Sequence, residues 1–159
     1  AARGSRAGWS LGRIEERLAE LRKRTEVVFT LDTLEYLAKG GRIGRIQALA
    51  GTLLHLKPII SVDHHDGKYN NTGRSRSLPK ALHNIAGHLH SVYGDTPLWA
   101  TVMHGQAPEY ADALAGELKS LLRIARLETL RVSPVLGVHT GPGVVGAAVT
   151  PMSLMADLP

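Results

Sequence analysis

Cysteine is absent from the 159 residues, so disulfides, thiolate metal sites and thiol nucleophiles are excluded. Aromatic residues make up only 4%, with a single Phe and two Trp, so a core must be built from Leu, Ile, Val and Ala. Few rings are left for stacking on nucleic-acid bases. No apolar run reaches the roughly 18 residues needed to cross a bilayer, and Ala1 to Ser10 is small, polar and basic, unlike a secretory leader. A cytoplasmic location is the expectation. Acidic residues are also in deficit: 19 Lys and Arg against 14 Asp and Glu leave a net charge of +5 and a pI near 9.8. That surplus attracts anions of any kind, or is a solvated basic surface.

With 43% hydrophobic residues, the length suits one domain with a real core. Leu11, Ile14, Leu18 and Leu21 recur at helical spacing behind Ser10 as N-cap, which predicts a helix ending near Arg24. Glu26 to Leu31 reads as a strand. Asp32, three residues before Glu35, has capping-box spacing for a short helix that Gly40-Gly41 stops. A helix over Arg45 to Leu56 ends at Lys57-Pro58. Ile59 to Asp63 and the stretch from Lys68 form a hairpin about Asp66-Gly67. Helices are expected around Leu82 to Val92 and over Pro108 to Ala125. Strands are expected over Leu98 to Met103, Leu127 to Ser133, Val135 to His139 and Val144 to Val149. This is an α/β chain with a mixed sheet of about six strands, antiparallel pairs included, and helices packed mainly on one face. The last residues, 151–159, show no periodicity and are expected to be peripheral.

Two loops stand out chemically. In His139-Thr140-Gly141-Pro142-Gly143 an imidazole N–H can donate to a carboxylate, and flanking glycines let backbone approach a ligand. A tight inter-strand turn explains the same residues without a ligand. Gly40-Gly41-Arg42-Ile43-Gly44-Arg45 leaves backbone N–H groups facing an anion, or is a C-cap with a basic loop. It matches neither a P-loop nor a dinucleotide fingerprint. His64-His65 between Asp63 and Asp66 reads as a polar turn rather than a metal site, and His88 and His90 point apart on a helix. No catalytic triad suggests itself.

Three stretches, TLEYLAKGGRIGR (Thr33 to Arg45), LLHLKPIISVDHHDGKY (Leu53 to Tyr69) and VHTGPGVVGAAV (Val138 to Val149), resemble the DegV family in order and spacing. The resemblance implies a non-enzymatic protein that binds a long-chain fatty acid between two domains, with no other cofactor. It implies that residues 1–150 are the C-terminal lipid-binding domain, and that the N-terminal domain, which holds the carboxylate with Thr and Ser hydroxyls, is not in this chain. His139, Thr140 and Gly141 are then the candidates for the carboxylate, and Gly41, Arg42 and Ile43 for the rim. Ile46, Leu49, Ala50, Leu53, Leu54, Ile59 and Leu82 are the candidates for an acyl tunnel, although each also reads as ordinary core. In some bacteria such proteins present the acid to a fatty acid kinase, a partner that Arg45 and Arg74 are expected to face. A basic nucleic-acid-binding or regulatory domain is the competing reading; no helix-turn-helix or RNP-like pattern supports it, and no nucleic-acid partner is expected.

Overall fold

A computed structural model of the chain describes residues 1–49 and 56–157. Ser10 caps the predicted first long helix, accepting from the Arg13 N–H at 3.3 Å, and the helix runs Leu11–Arg24 (α2) behind a short Ala2–Arg6 turn of helix (α1). Strand β1 follows at Glu26–Thr30, then α3 at Glu35–Lys39 and a 3-10 turn at Gly44–Leu49. The capping box does not form: Thr33 Oγ1 accepts from the Glu35 N–H, while the Asp32 carboxylate is taken by Lys57 Nζ at 2.6 Å. Strands β2 (Lys57–Val62) and β3 (Tyr69–Ser75) make the hairpin, and α4 spans Leu78–Tyr93. Strand β4 (Leu98–His104), α5 (Pro108–Leu121), β5 (Ile124–Arg131), α6 (Pro134–Thr140) and β6 (Val145–Pro151) complete the order.

The strands form one six-stranded sheet in the order β3-β2-β1-β6-β4-β5. Neighbours are antiparallel except β4 and β5, which run parallel and are joined through α5. This is the expected mixed sheet. Alternation sends Val28 and Ala147 toward α4 and α5, where they join Ile85, Leu89, Leu114 and Leu118 in the main core. Phe29 and Ile60 face the other way, into a second cluster with Leu31, Leu37, Ile46 and Val144. Helices therefore lie on both sides: α4 and α5 on one, and the smaller α3, 3-10 turn and α6 over part of the other.

Several expectations change, and the start of the helix expected over Arg45 to Leu56 is the 3-10 turn Gly44–Leu49. Helix α5 stops at Leu121 rather than Ala125, because Ile124 enters the parallel ladder opposite Leu98. Val135 to His139 is helix, not strand. Its β-branched valines point to a strand, but Pro134 at the first helical position pre-sets the backbone, and the Leu136 and Gly137 N–H groups bond back to the Ser133 carbonyl. The segment after β6 is also tied down rather than loose. Leu154 is buried, and Asp157 pairs with Arg17 at 2.6 Å and Arg13 at 3.2 Å.

Helix α2 has no fully buried residue, although Ile14, Arg17 and Leu21 are half-buried, and polar groups at its ends add to its attachment. At its C-terminal end the Tyr93 hydroxyl accepts from the Glu26 N–H (2.9 Å) and points its one proton at the carbonyls of Arg24 and Val149 (2.8 Å each). Burial pushes this phenol up to about 12, so it stays a donor across the physiological range. Tyr93→Phe is expected to cost about 1–3 kcal/mol, the range for a buried partner left unsatisfied. Urea unfolding of the two proteins checks this.

Candidate functional site

The second face of the sheet is incompletely covered, and a hollow of about 100 Å³ remains between it and α6. Val27, Phe29, Met103 and Gly146 form its sheet side, Val62 and Tyr69 come from the hairpin, and Leu136 and Thr140 from α6. Val28, Val132 and Val144 complete the lining. The Tyr69 ring meets Phe29 edge-on at 5.4 Å between centroids, and burial raises the Tyr69 phenol above its ordinary value. Gly146 is required here. A Cβ on it would fall 2.5 Å from the Val28 carbonyl oxygen and against the Phe29 backbone, so any side chain would push β1 and β6 apart. Thr140 is the polar residue of the lining, and its hydroxyl donates to the Leu136 carbonyl at 3.0 Å. Its lone pairs remain, but not its proton.

The His139–Gly143 loop lies where α6 ends, and glycines seat it on its neighbours. His139 stands in the last helical turn rather than at a strand end, with its ring directly against Gly40, where a Cβ would collide with Nδ1. That nitrogen is sealed from solvent and has no hydrogen-bond partner. Gly141, at φ +81°, passes over the Tyr36 ring, and Gly143 abuts the Asp32 carboxylate. Two of the three stretches singled out in the sequence thus meet: the glycines after α3 are packed on the loop after α6.

Around this contact the predicted rim is sorted. Gly41 takes φ +68°, and Arg42 is exposed, its guanidinium donating back to the Gly40 carbonyl at 2.5 Å. Ile43 packs against the second cluster, and Ile46 is fully buried in it beside Phe29 and Val144. Leu49 ends the 3-10 turn; Ala50, Leu53 and Leu54 lie outside the described residues. Ile59 and Leu82 are corrected: both are buried in the main core under α4, on the face opposite the hollow. Regular pairing of β2 with β1, Ile60 opposite Phe29 and Ile59 opposite Thr30, fixes which of the two isoleucines faces which way. Sequence reasoning missed Val27, Phe29, Met103 and Leu136. The first two carried a signal, since a strand that is apolar at consecutive positions has two buried faces.

Arg45 is not a bare cation. It bonds Asp63 at 3.1 Å, Asp66 at 2.5 Å and the Asn70 side-chain oxygen at 3.1 Å, clamping the 3-10 turn to the hairpin. Asp63 is held down to about 2, chiefly by the His65 backbone N–H and then by Asn70. Arg74 is exposed on edge strand β3 and has no ion-pair partner among the described residues. Among those residues no group of three or more His, Asp or Glu is placed to hold a metal, and no helix is long and apolar enough to cross a membrane.

The family model that matches the chain, over residues 1–152, is described as an uncharacterised protein of the DegV family. The chain belongs to the DegV family. A DegV domain-containing protein of Deinococcus radiodurans is 41% identical over 128 residues, which is 80% of this chain and 45% of the relative. One from Clostridium perfringens is 35% identical over 149 residues, or 94% and 53%. This DegV chain thus spans about half the length of the curated relatives it matches. Among solved structures, a DegV family protein of Thermus thermophilus described by its fatty acid binding superposes with a TM-score of 0.86 at 32% identity, over 93% of this chain and 53% of its own. A fatty acid binding DegV protein of Streptococcus agalactiae gives 0.82 at 28%, over 93% and 52%.

Proposed function

We propose that this DegV chain is a binding module for a long-chain fatty acid, with part of the acyl chain in the hollow and the carboxylate at the loop after α6. The observation that carries the reading is the hollow itself, an apolar space roofed by the helix whose last turn holds His139. Two relatives of the same fold are described as binding fatty acids. In this reading His139 and Gly141 meet the carboxylate, Thr140 joins them only by turning its hydroxyl proton away from the Leu136 carbonyl, and Gly41, Arg42 and Ile43 border it.

Size bounds the claim. An engineered cavity of about 150 Å³ holds benzene, so a hollow of about 100 Å³ takes on the order of four carbons. At roughly 0.8 kcal/mol per methylene that supplies about 3 kcal/mol, whereas a full acyl tail of about sixteen carbons offers on the order of 10 kcal/mol. The remaining carbons need further walls beyond those of the hollow. Presentation of the carboxylate to a kinase partner belongs to the same proposal. There Arg74, which has no ion-pair partner among the described residues, is the better contact than Arg45, and electrostatic complementarity acts mainly on encounter rate.

Native mass spectrometry of the protein, joined to its other half and incubated with mixed fatty acids, is expected to show an added mass matching one acid. Correctly folded protein that stays ligand-free overturns the reading. His139→Ala is expected to weaken retention roughly 10–100-fold, the equivalent of one charged hydrogen bond, with the melting temperature retained. Unchanged ligand content removes His139 from the site.

A further inference from the structure

A second cleft lies beside the hollow, bounded by Arg22, Thr25, Asp63, His64, His65, Asp66 and Gly67, and it shares Val27 and Val62 with the hollow's lining. The two valines are therefore a common wall. His64 reaches from the β2–β3 turn across this cleft. Its Nδ1 is 2.9 Å from the Arg22 carbonyl oxygen in the last turn of α2, and its Nε2 is 2.5 Å from Glu26 Oε1 on β1. A backbone carbonyl and a carboxylate only accept, so both ring nitrogens must carry a proton. A neutral imidazole has one N–H and can satisfy one of these contacts.

We infer that His64 is a proton-operated latch on the side wall of the hollow: as an imidazolium it ties the end of α2 to β1 through the hairpin, and when it loses its proton one tie is released. The consequence for ligand access rests on the fatty-acid reading; the latch itself does not. Helix α2 is suited to such control because none of its residues is fully buried and polar contacts fasten both its ends. Arg13 and Arg17 hold its start to Asp157, Tyr93 meets the Arg24 carbonyl, and His64 meets that of Arg22.

The charges facing His64 favour its protonated state. On its own turn stand Asp63, His65 and Asp66, with Lys68 Nζ 3.5 Å from Asp66. From the 3-10 turn Arg45 engages Asp63 and Asp66, and from β1 Glu26 is committed to the ring. Helix α2 brings Arg22, Lys23 and Arg24, and α4 brings the Tyr93 phenol to the Glu26 backbone. The Arg22 carbonyl, and after it the Glu26 carboxylate, hold the ring's pKa above its ordinary 6.5 against the opposing effect of partial burial. The sign follows. A pKa raised by folding means that the latch acts in full below the unfolded value, and that its contribution is lost as pH rises through the folded one.

The test uses the ligand-free protein. Imidazole ¹⁵N spectra below the titration are expected to show His64 with both nitrogens protonated. Hydrogen exchange of the amides in the last turn of α2, corrected for base catalysis, is expected to speed up about tenfold across the His64 titration, as loss of one charge-assisted hydrogen bond implies. Glu26→Gln discriminates: its amide N–H₂ can donate to a neutral Nε2, so both contacts persist at high pH and the step should vanish. His64→Phe should exchange fast at every pH. A single neutral tautomer at low pH, or a step of equal size in Glu26→Gln, overturns the latch. Failure of lipid binding leaves these readouts unchanged, so the two ideas fail separately.

Discussion

Phe29→Ala is expected to lower the unfolding free energy by about 3–5 kcal/mol, the cost of deleting a buried ring and leaving its space unfilled. Phe29 is 8% exposed on β1, which pairs with both β2 and β6. Its ring packs edge-on against Tyr69, so the truncation also removes the contact that joins the hairpin to the second face. Collapse cannot repair the gap easily. Gly146 is already pressed against the Phe29 backbone and offers no side chain to move in. Against a total stability of about 5–15 kcal/mol this is a large fraction, equivalent to a fall in Tm of roughly 6–20 °C for a domain of this size. The denaturant midpoint should move with its slope unchanged. A loss below about 1 kcal/mol would mean that the second face is not a packed layer. Phe29→Leu is expected to keep most of the stability.

The sheet was legible because its strands are separated by clear punctuation. Asp66-Gly67 marks the hairpin, and Gly94 with φ +51° ends α4 where predicted. The local signals failed where two structures compete for the same short sequence. Val135-Leu136-Gly137-Val138 has the β-branched content of a strand, but no free ladder position is filled by it and Pro134 starts a helix more readily. That single difference moves His139 from a sheet rim to a helix end packed on Gly40.

The site was legible in its loops and not in its walls. Gly40, Gly141 and Gly143 of the two loops stand where other groups occupy the Cβ position, Gly41 and Gly44 where φ is positive, and both demands leave a mark in the sequence. The sheet side of the hollow leaves none: in an apolar pair such as Ile59-Ile60, which residue faces it depends on the register with β1, and a slip of one residue would exchange them without any change in composition. Leu82 was equally ambiguous, since a helix stripe tells that a residue is buried but not which cluster receives it. The two unpartnered atoms found deep in β1 and β4, Thr30 Oγ1 and His104 Nδ1, have no counterpart in any pattern read from the chain.

Met103→Asp is expected to leave the fold standing and to weaken fatty acid binding by two orders of magnitude or more. Met103 lines the hollow from β4 but is only half-buried, so in the free protein a carboxylate there keeps part of its hydration. An acyl chain entering the hollow would remove that water and supply nothing in return. Desolvating an unpaired carboxylate costs several kcal/mol, and each 1.4 kcal/mol is tenfold in affinity. The penalty exceeds the roughly 3 kcal/mol that about four buried carbons supply, so this part of the chain would be expelled. Met103→Leu has nearly the same volume and no charge, and should bind as the unaltered protein does. The comparison is best made by titrating a fluorescent fatty acid into each variant, with thermal unfolding run in parallel. Equal affinity in the Asp and Leu variants would place the acyl chain elsewhere, whatever the rest of the intact protein contributes.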